Sequence, residues 1–200
     1  MMSRGVLYVI SGPSGTGKGT VCDVLKEDNN IYLSVSTTSR DKRAGETAGV
    51  TYNYTTPEKF EEMIENGEML EWAKYSENYY GTPRSVVEQK LEEGIDVILE
   101  IEPQGAFKVK DIMPECVMIF ILPPSMHELK NRLIGRGREN EEQIKTRINN
   151  AIWELNQADK YNYVVTNDIL ENCVNKIRNI MNNTKETRNF IDELLEQKVF

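Results

Sequence analysis

The residues best suited to chemistry in this chain of 200 residues lie early, at Gly12-Pro-Ser-Gly-Thr-Gly-Lys18. GxxxxGK spacing lets a short backbone stretch wrap around an anion. Gly12, Gly15 and Gly17 accept conformations closed to other residues and turn N–H groups onto phosphate oxygens. Pro13, Ser14 and Thr16 complete the loop, and Lys18 supplies a compact cation for the β- and γ-phosphates of a nucleoside triphosphate. The general motif continues with Ser or Thr, whose hydroxyl binds magnesium. Here Gly19 stands in that place and Thr20 follows, so magnesium is expected largely on phosphates and water, with Thr20 a lesser candidate ligand. Glu100 ends an apolar run and is the acidic residue expected near the metal, directly or through water. Ligands in open α/β sheets gather at the carboxyl ends of strands.

A triphosphate loop does not name the acceptor. The polar stretch from Ser36 to Thr82 offers one group of candidates. Arg40 and Arg43 suit a bidentate clamp on phosphate, and Tyr52 and Tyr80 add phenolic donors. Glu71 carries more information. An alternating strand through Glu68-Met-Leu-Glu-Trp72 puts Glu71 on the face opposite Leu70 and Trp72. A pocket carboxylate only accepts hydrogen bonds, which matches the N1–H and amino donors of guanine. Adenine presents an acceptor at N1 and leaves the carboxylate unpaired, a strong penalty in a buried site.

A third cluster, Arg132, Arg136, Arg138 and Arg147, surrounds Gly135 and Gly137. Such charge runs are usually solvated faces. Their other reading is a lid that closes over the triphosphate and spreads positive charge over the transferred group. His127, the sole histidine, sits in an ordinary helical stretch and is expected to be structural or exposed, since phosphoryl transfer demands alignment more than a general base.

The elements that must hold these residues follow from pattern. Short β-branched runs at 5–10, 31–35, 96–101, 116–122 and 161–166 read as buried strands. Helical spacing fills 20–26, 57–66, 83–93, 125–133, 141–158 and 168 onward. Strands alternating with helices give an α/β fold with a parallel sheet and helices on both faces. The segment 36–82 breaks the rhythm with strands at 50–54, 69–75 and 78–81, and reads as a β-rich insertion.

Composition narrows the function classes. The chain is 39% hydrophobic and 28% charged, enough for a core without disulfide staples. A net charge of −8 argues against nucleic acid or anionic membrane as a general partner. Cys22, Cys116 and Cys173 are scattered, with no zinc spacing. The longest apolar runs are too short to span a bilayer, and the apolar stretch before the glycine loop does not read as a signal peptide. The cytoplasm is the expected location. The oligomeric state is open: the C-terminal stretch with Phe190, Ile191, Leu194 and Leu195 could pack on its own core or on a second subunit.

These segments together resemble the guanylate kinases along nearly the whole chain. Ser36-Thr-Thr-Ser-Arg-Asp-Lys-Arg-Ala-Gly-Glu46, Gly49–Tyr54, Glu68–Ala73 and Asn78-Tyr-Tyr-Gly-Thr82 follow in that family's order and spacing. The resemblance implies a three-layer P-loop kinase core (about 1–35, 83–125 and 148–200), an inserted GMP-binding region (about 36–82) and a helical lid (about 126–147). It implies transfer from ATP to GMP with magnesium. Arg40, Arg43, Tyr52 and Tyr80 then hold the GMP phosphate, and Ser36, Glu71 and Thr82 read guanine. Glu102 stands where the family usually carries aspartate. The Gly135–Arg147 pattern resembles the family lid and selects Arg136 and Arg147 as catalytic phosphate contacts beside Lys18, while Asn167 resembles a position beside the adenine ring. Two rivals carry over: a kinase for another monophosphate, and a non-catalytic module of similar fold that binds protein partners.

Overall fold

The computed structural model describes residues 3–75, 77–134 and 141–196. Five parallel strands form the main sheet: β1 (Leu7–Ser11), β2 (Ile31–Leu33), β7 (Asp96–Glu100), β8 (Val117–Leu122) and β9 (Tyr163–Thr166). Their spatial order is β2-β7-β1-β8-β9. The three central strands are buried on both faces, which is why they read as continuous β-branched runs.

Alternation along β1 shows how the layers are made. Tyr8 and Ile10 point to one face, where Val21, Cys22 and Leu25 of α1 (Lys18–Leu25) pack with Cys173, Val174, Ile177 and Met181 of α7 (Leu170–Glu196). Leu7 and Val9 point to the other, against Val87 and Leu91 of α3 (Arg84–Glu92) and Ala106 and Val109 of α4 (Pro103–Ile112). Burying each such Ile, Leu or Val side chain contributes about 1.5–3 kcal/mol. Helix α7 is also tied to the sheet by polar contacts. Tyr8 Oη donates to the Met181 carbonyl at 3.2 Å. Lys185 pairs with the buried Asp96 at 2.8 Å, and Arg178 forks onto Asp28 at 2.7 and 2.6 Å.

A second sheet, ordered β4-β3-β6-β5, is built from β3 (Thr37–Thr38), β4 (Asn53–Tyr54), β5 (Met69–Tyr75) and β6 (Asn78–Pro83). Strands β5 and β6 pair antiparallel with an irregularity between Met69 and Glu71. Helix α2 (Pro57–Glu65) lies between β4 and β5 in the chain, starting at Pro57 after Thr56, whose hydroxyl accepts from the Lys59 N–H at 3.3 Å. Helices α5 (Met126–Ile134) and α6 (Glu141–Leu155) pack through Leu129, Leu133, Ile148 and Ala151. Ser125 caps α5, accepting from the Glu128 N–H at 3.1 Å.

The structure adds a helix where pattern reading expects none. Pro103 and Gly105 look like breakers, yet Pro103 occupies the first turn of α4, the one helical place where proline fits well. Strand β3 is likewise not predicted by pattern, because two residues are too few to show alternation. Helix α6 ends at Leu155, three residues short of expectation, and a 3₁₀ turn takes over at Ala158–Lys160. Arg136 and Arg138, expected in a lid, lie outside the described residues, as do the side chains of Phe190, Ile191, Leu194 and Leu195.

Candidate active site

The loop 12–17 leaves the carboxyl end of β1 and turns directly into α1 at Lys18. Gly12 has φ +145°, and a Cβ there would sit 2.3 Å from the Ile121 carbonyl oxygen of the neighbouring strand. Glycine is therefore required, on grounds of both conformation and space. Lys18 folds back over the loop, its ammonium donating to the carbonyls of Gly12 and Pro13. Burial pulls the Lys18 pKa down, against the upward pull of the Glu100 carboxylate. Thr16 is buried and donates to the Pro13 carbonyl at 2.8 Å.

Helix α6 reaches the same loop from across the cleft. Arg147 Nη2 donates to Ser14 Oγ. Two turns along, Glu154 accepts from the Ser14 backbone N–H, and desolvation, followed by the nearby Glu102 charge, pushes its pKa up to about 7. Glu154 was not singled out in the sequence, where a glutamate in an amphipathic helix carries no signal.

Lys18 and Ser14 form one wall of a pocket of about 450 Å³. The opposite wall comes from the second sheet and the loop before it: Ser36, Tyr52, Glu71 and Tyr80. Glu100, the last residue of β7, and Glu102, just before α4, also line it. Thus residues from three separated stretches of chain share one cavity. Glu71 is 7% exposed. Its Oε1 accepts from the Thr82 hydroxyl at 2.8 Å, the two residues being register partners across β5 and β6. Burial raises the Glu71 pKa, and the Thr82 hydrogen bond opposes that rise. Leu70, on the other face of the strand, enters the main core, as alternation requires.

At the outer rim Arg40 forms a fork with Glu46, at 2.7 and 3.0 Å, and its guanidinium lies 5.4 Å from the Tyr52 ring centre. Glu46 also accepts from the Arg43 N–H at 2.7 Å and the Tyr54 hydroxyl at 2.9 Å. These partners, Arg40 first, hold its carboxyl down at about 2. The Tyr52 and Tyr80 rings meet edge-on at 5.9 Å. The Arg43 side chain is exposed at this rim. Tyr75, unmarked in the sequence, also lines the pocket and donates its hydroxyl to Glu102.

Glu100 sits against the loop helix: a Cβ on Gly19 would lie 3.5 and 3.6 Å from its carboxylate oxygens. Desolvation raises the Glu100 pKa while Lys18 lowers it. Thr20 falls elsewhere. With Gly15, Gly17, Arg132 and Asn167 it lines a second pocket, of about 530 Å³, on the far side of the loop. Asn167 is buried there and donates to the Thr16 carbonyl at 2.7 Å. His127 is exposed.

A family model described as guanylate kinase matches residues 4–184. The chain belongs to the guanylate kinase family. Among proteins that carry the guanylate kinase name, that of Clostridium tetani is 53% identical over 184 residues, covering 92% of this chain and 88% of its own. That of Caldanaerobacter subterraneus subsp. tengcongensis is 54% identical over 179 residues, covering 89% and 87%. The crystal structure of guanylate kinase from Anaplasma phagocytophilum superposes with a TM-score of 0.74 at 37% identity, covering 90% of this chain and 86% of the other. The three-layer P-loop kinase fold expected of a guanylate kinase is the fold observed.

Proposed function

We propose that this guanylate kinase works by holding ATP on the loop 12–20 and GMP against the second sheet, with the two phosphates meeting in the shared pocket. The observation that carries this reading is the common cavity: Lys18 and Ser14 face Glu71, Ser36, Tyr52 and Tyr80 across one space. In-line transfer of the terminal phosphoryl group from ATP to GMP, giving ADP and GDP, needs both substrates aligned in one dry enclosure. Lys18 and Arg147 supply positive charge to the transferred oxygens, and Arg136 completes the lid. Arg40, Arg43, Tyr52 and Tyr80 clamp the GMP phosphate. Arg40 exchanges its Glu46 partner for that phosphate in doing so. Ser36, Glu71 and Thr82 read the base, and Glu102, which accepts from the Tyr75 hydroxyl, completes the GMP site.

Asn167 supports the loop through the Thr16 carbonyl and borders the adenine pocket. In this reading the chain divides into a core (about 1–35, 83–125 and 148–200), a GMP-binding region (about 36–82) and a lid (about 126–147). Closure of the last two over the core excludes water from ATP.

Magnesium fits this arrangement. Among the described residues no cluster of three or more His, Cys, Asp or Glu could hold an ion unaided. Magnesium commonly takes one or two carboxylates plus substrate phosphates, and Glu100 offers a carboxylate beside the loop helix. Glu100, directly or through water, would hold the ion, with Thr20 a weaker candidate on its own side of the loop. The ion would screen charge between the β- and γ-phosphates.

No helix among the described residues is long and apolar enough to cross a membrane. The three cysteines are buried and unpaired, which supports a reducing compartment and the cytoplasm. The test of the function is ADP release with ATP, magnesium and each nucleoside monophosphate in turn. Rapid turnover with GMP alone is expected. Turnover with a different monophosphate would remove the base-reading role of Glu71, and no turnover from folded protein would favour a binding module.

A further inference from the structure

Gly105 lies in the first turn of α4, inside a helix. Glycine weakens a helix relative to alanine, so its presence needs a cause. Conformation is not the cause, because Gly105 is not among the glycines with positive φ. Space is. A Cβ built on Gly105 would lie 2.8 Å from Glu71 Oε2 and 3.3 Å from Glu71 Cδ, with Ile101 Cδ1 next at 3.5 Å. What occupies the missing side chain's volume is the buried carboxylate that faces the pocket.

We propose that Gly105 is a specificity-determining residue: its bare backbone lets the Glu71 carboxylate lie against α4, in the position from which it reads guanine. The inference rests on the base-reading role given to Glu71 above. Contacts from two elements locate the carboxylate. Thr82 holds Oε1 from β6 at 2.8 Å, and Gly105 receives Oε2 from α4. The contact also sets the negative group beside a helix N-terminus, where free N–H groups and the helix dipole favour it. Both residues line the pocket with Ser36 and Tyr80. The three heavy atoms nearest a methyl group at 105 all belong to the ends of the Glu71 and Ile101 side chains. The fold therefore accommodates it, and the carboxylate moves. A shift of this kind at a hydrogen-bonding group degrades recognition far more than stability.

The experiment is a double-mutant cycle in the full chain with steady-state kinetics for ATP, GMP and AMP. Gly105→Ala is expected to raise the KM for GMP on the order of tenfold and to narrow the preference for GMP over AMP. The KM for ATP and the melting temperature should hold. In a Glu71→Ala background, where the methyl displaces nothing, Gly105→Ala should add no further change. An unchanged GMP KM in Gly105→Ala, with Glu71→Ala impaired, would overturn this inference and leave the base-reading role standing. An unchanged GMP KM in Glu71→Ala would remove both. Equal losses for ATP and GMP, or the same factor in both backgrounds, would mean a merely structural glycine and would also overturn it.

Discussion

Thr82 donates its hydroxyl to Glu71 Oε1 at 2.8 Å across register partners of β5 and β6. The bond ties a carboxylate that is 7% exposed to a hydroxyl that is 1% exposed. Neither is placed by a loop. Strand pairing holds both, so the carboxylate proposed to read guanine inherits the rigidity of a sheet, while its Oε2 lies against the bare backbone of Gly105.

Glu71→Gln keeps the shape of the side chain and replaces an acceptor oxygen with a donor. The KM for GMP should rise on the order of a hundredfold, as expected when a buried polar group is mispaired. The KM for ATP should stay near wild type. Michaelis constants for both substrates decide it, and an unaltered GMP constant would refute the assignment.

Lys18→Ala removes the loop cation. Turnover should fall by on the order of a thousandfold, the scale for loss of one preorganised charge donor. Lys18 bonds only its own loop's Gly12 and Pro13 carbonyls among the hydrogen bonds described for it, so the far-UV spectrum and melting curve should persist. Near-normal turnover would sink the phosphate-loop assignment.

Arg147→Ala breaks the contact from α6 to Ser14 Oγ. It should lower kcat by about a hundredfold while leaving GMP affinity close to wild type. Titration calorimetry with GMP, set beside kcat, separates the two. A pure binding defect would argue against a role in transfer.

Glu154 gives a pH signature. Its folded-state pKa is pushed up to about 7 from an ordinary value of 4.5. A raised acid favours the protonated form in the folded state, so its stability contribution is fully present below about pH 4.5 and is lost as pH rises towards about 7. Glu154→Gln mimics the neutral form. Melts of the unliganded variant should match wild type near pH 4.5 and exceed it at pH 8. Parallel melting profiles across that range would refute the assignment.

Much of this was legible from residue order, for identifiable reasons. The parallel strands announce themselves because burial on both faces demands uninterrupted apolar runs such as Val117–Leu122. The glycine loop is readable because its residues are consecutive. Alternation alone assigns Glu71 to the pocket face. Helix α4 is hidden because its first turn holds two residues that read as breakers: Pro103 starts the helix, and Gly105 leaves space for Glu71. Glu154 escaped because its partner, Ser14, is 140 positions away in the chain, and only packing of α6 over the loop brings them together. The Glu46 fork on Arg40 was hidden for a similar reason. Both residues were in view as members of a motif, yet which side chains turn towards each other is decided by the loop's path.

Helix α7 supplies Cys173, Val174, Ile177 and Met181 to the face of the sheet that β1 fills with Tyr8 and Ile10. Those partners lie at opposite ends of the order of synthesis. While the ribosome is still making residues 170–181, the glycine loop and its strand already exist with that face covered by α1 but not by α7. That half of the core can close only after translation has passed α7 and the helix has cleared the exit tunnel. The nascent chain therefore carries that face incompletely covered until α7 emerges, and this side of the core closes late in the making of each molecule.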